Sequence, residues 1–176
     1  MAELCAARID GELFAVDECF APVDAVDSSA LRGAALLALT GPRAVAVLES
    51  ALWVHGVLLA PPETHEVRVP RRSRARLPQS PRLCSGERTF APGEIQRLGG
   101  MAVTTVPRTV LDLLFAEDFD RVRRRIVAAV LAEDTRRATH CAELVRTAVH
   151  RPGKRRALQR ISDLMAVKVD APGPAG

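Results

Sequence analysis

The segment Met101-Ala102-Val103-Thr104-Thr105-Val106-Pro107-Arg108-Thr109-Val110-Leu111-Asp112-Leu113-Leu114 decides the fold class. Met101–Thr105 reads as a strand that ends in paired threonines. Pro107 then opens a helix, expected over Arg108–Ala116, because proline is tolerated in a first helical turn where its missing N–H has no partner to lose. Arg108 stands four residues before Asp112, which puts guanidinium and carboxylate on one helix face. Thr109 and Asp112 also have the spacing of a capping box, so a start one turn later is an alternative. The segment is a strand-to-helix corner held by local hydrogen bonds. No His or Cys stands beside it in sequence to act as base or nucleophile.

Outward from the corner, strand signals fill the first half of the chain and helix signals the second. Gly11–Val16 and Cys19–Val23, split by Asp17-Glu18, suit a β-hairpin, with Pro22 marking an edge strand. Asp27 or Ser28 can cap a helix over Ser29–Leu39, which Thr40-Gly41-Pro42 ends. The wholly apolar run Ala44–Leu48 reads as a buried strand, with a helix as the alternative. Ser50 can cap a brief helix, Ala51–His55, closed by Gly56. Thr64–Pro70 alternates with period two, Val67 and Val69 inward, Glu66 and Arg68 outward. Arg82–Ser85 and Arg88–Phe90 are short strand candidates, and Pro92–Gly100 is expected to be a helical turn. Downstream, Asp118–Ala132 carries a stripe of Phe119, Val122, Ile126 and Val130. Helices over Thr139–Val149 and Lys154–Ala166 should follow, then a disordered tail, 167–176. The expected fold is mixed α/β: a small mixed sheet with helices packed on it, a helical C-terminal half and an N-terminal hairpin.

Composition narrows the function classes. In 176 residues, 48% are hydrophobic but only 3% aromatic, so the core must be aliphatic. Residues 1–66 carry three basic against ten acidic side chains; residues 67–176 carry 22 against 11. Such an asymmetric field can orient a protein toward a polyanion or an acidic partner. Nearly all the cations are arginine, whose planar fork matches phosphate bidentately. Cys5, Cys19, Cys84 and Cys141 form no paired zinc-ligand spacing, and the four histidines add none. No run approaches a membrane span and no secretory signal is visible, so a cytoplasmic protein with free thiols is expected.

Three stretches in register carry a resemblance: the corner Met101–Leu114, the turn Ser50-Ala51-Leu52-Trp53-Val54-His55-Gly56, and the basic strand Glu66–Arg72. Together they resemble the AbiEi-type antitoxin family, whose members are transcriptional regulators of bacterial toxin–antitoxin and phage-defence operons. The likeness covers about 44–118 and continues more weakly to about residue 165. It implies a winged helix-turn-helix followed by an α/β antitoxin domain, here residues 28–166. Its motif residues here are Ser50, His55, Gly56, Thr105, Pro107, Arg108, Thr109 and Asp112. The stretch before Gly11 is too short for the helices of a winged domain, so residues 1–27 read as a hairpin, or wing, without its recognition helix. The resemblance implies DNA as partner and opposition to a nucleotidyltransferase-like toxin without a stable complex; the residues themselves lead to no expected cofactor, metal or membrane. A homodimer is also compatible with it.

Two basic clusters are the candidate phosphate contacts: Arg68, Arg71, Arg72, Arg74 and Arg76, and, opening the last helix, Arg151, Lys154, Arg155, Arg156 and Arg160. Arginine contacts to phosphate are salt-sensitive and sequence-blind. An alternative is a metal-dependent nuclease, whose restriction-type site needs an acid–x–Lys pair. Pro152 precedes Lys154 by two and Ala166 precedes Lys168 by two, so neither lysine supplies it. A degenerate fragment that only binds a partner is a further alternative. No catalytic residue is assigned.

Overall fold

A computed structural model describes residues 2–73, 77–149 and 151–169. It is mixed α/β, as expected: among the described residues there are seven helices, a five-stranded mixed sheet and a two-stranded hairpin. The chain divides into two compact units, Met1–Thr105 and Val106–Gly176.

The first unit opens with α1 (Ala2–Ile9), a helix the sequence reading did not foresee. The hairpin β1 (Leu13–Val16) and β2 (Cys19–Pro22) follows as expected, with Asp17 at positive φ in its turn. Ser28 caps α2 (Ser29–Thr40), accepting the Leu31 N–H at 3.2 Å, and Gly41 at φ 77° ends it. The apolar run Ala44–Leu48 is only partly strand. β3 is Val45–Ala46, and α3 (Leu48–Val54) begins at once. Leu48 turns the chain at φ 50°, a left-handed conformation that costs a side-chain-bearing residue about 1 kcal/mol. Burying its side chain offsets that cost.

β4 (His65–Pro70) alternates as expected, and His65 joins Val67 and Val69 on the buried face. One continuous strand, β5 (Leu83–Arg88), replaces the two short ones anticipated there. The expected helical turn at Pro92–Gly100 is instead β6 (Ile95–Leu98), joined through Gly99-Gly100 to β7 (Met101–Thr104). Both glycines have positive φ, which suits a tight hairpin. The sheet order is β5-β4-β3-β7-β6. β3 lies at its centre, antiparallel to β4 (Val45↔Arg68) and parallel to β7 (Val45↔Ala102). A strand covered on both sides reads as an unbroken apolar run, which is why Ala44–Val47 has no alternation. Helices α2 and α3 pack on each other and on the sheet. The core gathers Val16, Ala21, Leu36, Trp53, Val67, Met101 and Val103, so the hairpin belongs to this unit's interior.

The second unit is helical: α4 (Val106–Phe115), α5 (Arg121–Glu133), α6 (Thr135–Thr147) and α7 (Lys154–Val169). Asp120 caps α5 and Asp134 caps α6. The inward side of α5 is Val127, Val130 and Leu131, while Val122 is 62% exposed. The expected stripe is therefore out of phase by about one residue. α7 runs three residues further than Ala166; the rest of the expected tail, 170–176, lies outside the described residues. No helix among the described residues is long and apolar enough to cross a membrane.

Candidate functional site

Ser50 is not a helix cap. It lies inside α3, and Val47 occupies the cap position without a side-chain bond. The Ser50 Oγ accepts the Glu66 N–H at 2.9 Å and lies 3.1 Å from His65 Nδ1. On the other side of the ring, His65 Nε2 is 2.9 Å from Asp17 Oδ2. A carboxylate only accepts, so Nε2–H donates to Asp17 and, in the neutral ring, Ser50 O–H donates to Nδ1. Asp17 Oδ1 accepts from Arg82 Nη2 at 2.6 Å, and Arg82 Nη1 reaches Glu18 at 2.7 Å. Burial pushes the Asp17 carboxyl up, but the hydrogen bond and charge of His65, with those of Arg82, outweigh it and hold the pKa below its ordinary value.

A Ser–His–Asp line is also the arrangement that activates a serine nucleophile. Here Ser50 and His65 are both 0% exposed, and the hydroxyl already holds a backbone N–H. The line has no approach for a substrate. Its physical effect is to tie the hairpin turn, α3 and the start of β4 together through a satisfied buried polar network. Sequence reasoning missed it because Asp17 and His65 lie 48 positions apart. The one signal was His65 falling on the inward phase of the alternation.

The expected motif residues serve separate structural tasks. His55 ends α3 and donates from Nε2 to the Thr104 carbonyl at 2.8 Å, with Gln96 Nε2 at 3.4 Å from its Nδ1. Gly56 follows at φ 81°, a conformation that favours glycine. Thr105 donates its N–H to Glu94 O at 3.0 Å, bracing the end of β7. Pro107 lies in the first turn of α4, as anticipated. The helix starts at Val106, so the buried Thr109 is inside it and the later start is overturned.

Arg108 Nε donates to both Asp112 oxygens at 3.1 Å, and Arg151 Nη2 adds a bond to Oδ1 at 2.7 Å. The Asp112 side chain is 2% exposed, so two cations offset one buried anion. Arg151 also lies 4.1 Å over the Phe115 ring. Arg160 donates to the carbonyls of Leu114 and Ala116, both at 2.7 Å, at the end of α4. Another such clamp escaped sequence reading. Arg32 pairs with Asp27 and donates to the Trp53 and Leu58 carbonyls at 3.0 and 2.6 Å. The hydrogen bond to Arg32 holds the Asp27 carboxyl below its ordinary pKa.

The basic clusters are thus heterogeneous. Arg68 is half-buried, bonded to its neighbour's carbonyl and 3.8 Å from Glu66. Arg151 and Arg160 are occupied as described. Arg71 and Arg72 follow β4, and Arg155 and Arg156 lie in the first turn of α7; all four are exposed. None of their side chains has a hydrogen bond or ion pair among the described residues. Arg74 and Arg76 lie outside the described residues. Arg121, Arg124 and Arg125 on α5 are exposed cations as well. No group of three or more His, Cys, Asp or Glu side chains poised to hold a metal occurs among the described residues. Comparison with protein-family models and with curated proteins found no match.

Proposed function

We propose that this protein is an antitoxin-like transcriptional regulator of a bacterial toxin–antitoxin or phage-defence operon, acting by binding rather than by catalysis. In this reading the hairpin Leu13–Pro22 corresponds to a wing, and the partner is nucleic acid met through its phosphates. One observation carries it: Arg71, Arg72, Arg155 and Arg156 are exposed, and their side chains have no hydrogen-bond or ion-pair partner among the described residues. Such guanidinium groups neutralise phosphate and release counterions, giving affinity without base readout. Of the motif residues, by contrast, Ser50, Arg108, Thr109 and Asp112 are buried, and the His55 side chain is engaged by the Thr104 carbonyl. They make the scaffold and leave recognition to the surface.

The test is duplex DNA binding by fluorescence anisotropy across a salt series. Retention at low salt is expected, falling steeply as salt rises. Replacing both Arg71 and Arg72 with Ala should reduce the slope of log affinity against log salt by about 2, equally for every sequence. No binding at low salt overturns the reading. Mg²⁺-dependent cleavage of DNA or RNA by the pure protein, abolished by a carboxylate substitution, overturns its non-catalytic part.

A further inference from the structure

β5 is an outer strand of the sheet, paired to β4 on one side. The ladder fixes which of its backbone groups face that partner. His65 N–H donates to Arg82 O at 2.7 Å and Arg71 N–H to Arg88 O at 3.2 Å, with His65↔Leu83 and Val69↔Glu87 in register. In a parallel pair a residue bonds the neighbours of its opposite number. Residues 82, 84, 86 and 88 therefore turn their amides to β4, and Leu83, Ser85 and Glu87 turn theirs outward. The Leu83 N–H is taken by Ser80 O at 3.0 Å. The N–H and C=O of Ser85 and Glu87 have no partner among the described residues. The strand contains neither lysine nor proline, two of the usual protections of an edge, and among the described residues β4 is the element packed extensively against it. Beside it, Leu77, Pro78, Pro81, Leu83 and Ser85 line an open crevice of about 790 Å³.

We propose that β5 pairs antiparallel with β5 of a second copy of this chain, joining two five-stranded sheets into one across a two-fold axis. The strand's own sequence selects the register. Outward amides must face outward amides, so the axis can fall at Cys84, Ser85, Gly86 or Glu87. An axis at Glu87 sets Glu87 against itself. One at Ser85 sets Arg82 against Arg88 and Leu83 against Glu87. One at Cys84 pairs Ser85 with Leu83, whose N–H is already used. The axis at Gly86 pairs Ser85 with Glu87 twice, making four backbone hydrogen bonds with a hydroxyl facing each carboxylate. It sets no like charges opposite one another. Gly86 then meets Gly86 in a non-hydrogen-bonded pair, where the backbones come closest. A strand whose best complement is its own reversed copy makes an isologous contact, the geometry of a closed dimer. This inference is independent of the proposed DNA binding.

Gly86 gives a direct probe, because a Cβ there meets only the Arg68 side chain at 3.5 Å, an ordinary contact. In a Cys84→Ser background, Gly86→Cys should form a disulfide-linked dimer under mild oxidation, reversed by reductant. Ser85→Cys in the same background should link far less, since its mate is two positions out of register. Ser85→Pro removes an outward N–H without touching the β4 ladder, so it should convert the sedimenting dimer to monomer with an unchanged circular dichroism spectrum. A wild-type protein that sediments as monomer overturns the proposal. So does a Gly86→Cys variant that links no faster than Ser85→Cys, or a folded Ser85→Pro variant that stays dimeric.

Discussion

His55 donates from Nε2 to the carbonyl of Thr104, 49 positions away, at 2.8 Å. That bond fastens the end of α3 to the end of β7, just before the chain enters α4. The imidazole is therefore committed to structure. Its Nε2 carries the proton, and its Nδ1 faces the Gln96 amide. Replacing His55 with Ala strips the Thr104 carbonyl, in a buried residue, of this donor. We expect a loss of about 1–2 kcal/mol, read as a lower denaturation midpoint at unchanged m-value. A midpoint equal to wild type would show that the bond is dispensable.

Asp17 makes stability depend on acid. Its pKa in the folded protein lies below the ordinary value of 3.8. The sign follows: its contribution is complete above the unfolded value and disappears as pH falls through the folded one. Wild-type stability should thus decline below about pH 4, and Asp17→Asn should flatten that decline. At neutral pH the same substitution leaves Arg82 with Glu18 as its anion and should cost about 2 kcal/mol, the worth of the charged hydrogen bond that is lost. Denaturant midpoints for both proteins between neutral and acid pH test the two statements together. Parallel pH profiles would refute the first.

These two sites show what a single sequence makes legible. The Ser28 cap, the hairpin and the alternation of β4 depend on residues a few positions apart, and they are where the pattern puts them. Ser50 has a cap's chemistry and a cap's spacing. Its hydroxyl is claimed by His65 and Glu66, 15 and 16 positions on, which no local pattern encodes. At β6 the sequence suggests a helical turn, because Pro92, Gly93 and the glycine pair punctuate it. The glycines serve a hairpin, whose other strand is already the distinctive corner. On α5 the periodicity gives a helix correctly. The inward face depends on where α6 and α7 lie, so the chosen stripe misses Val127 and Leu131. Arginine is the least legible residue type. Arg32, Arg151 and Arg160 look like solvated charge in the sequence, yet each grips carbonyls or a carboxylate.

Within the second basic cluster, two arginines should separate folding from binding. Arg151→Ala removes one of the cations on buried Asp112 and the contact with Phe115. It should cost about 2 kcal/mol of stability. Arg155 is exposed at the start of α7, where a cation opposes the helix dipole, so Arg155→Ala should change stability by less than about 0.5 kcal/mol. DNA affinity should move the other way round: weakened by Arg155→Ala, and unchanged by Arg151→Ala under conditions where that variant is folded. Thermal melts and anisotropy on the same preparations give both readings. Equal destabilisation by the two substitutions would contradict the division of the cluster.

Gly33 gives the sharpest contrast between local preference and packing. It lies in the middle of α2, where Ala is favoured over Gly by about 1 kcal/mol on helix propensity alone. A Cβ at Gly33 would stand 2.0 Å from the Leu98 carbonyl oxygen, and one at Gly99 would stand 1.8 Å from the Ala30 carbonyl oxygen. The obstruction in both cases is backbone, which has no rotamer to change. The helix and the β6–β7 turn approach this closely only because both positions lack a side chain. Gly33→Ala must push α2 off that turn, and overpacking of this kind costs about 1–3 kcal/mol, more than the helix preference returns. The expected outcome is a lower melting temperature for Gly33→Ala, while Ala34→Gly, at an exposed position on the same helix, loses only the propensity term. A Gly33→Ala protein as stable as wild type would mean that the helix and the turn are not in contact.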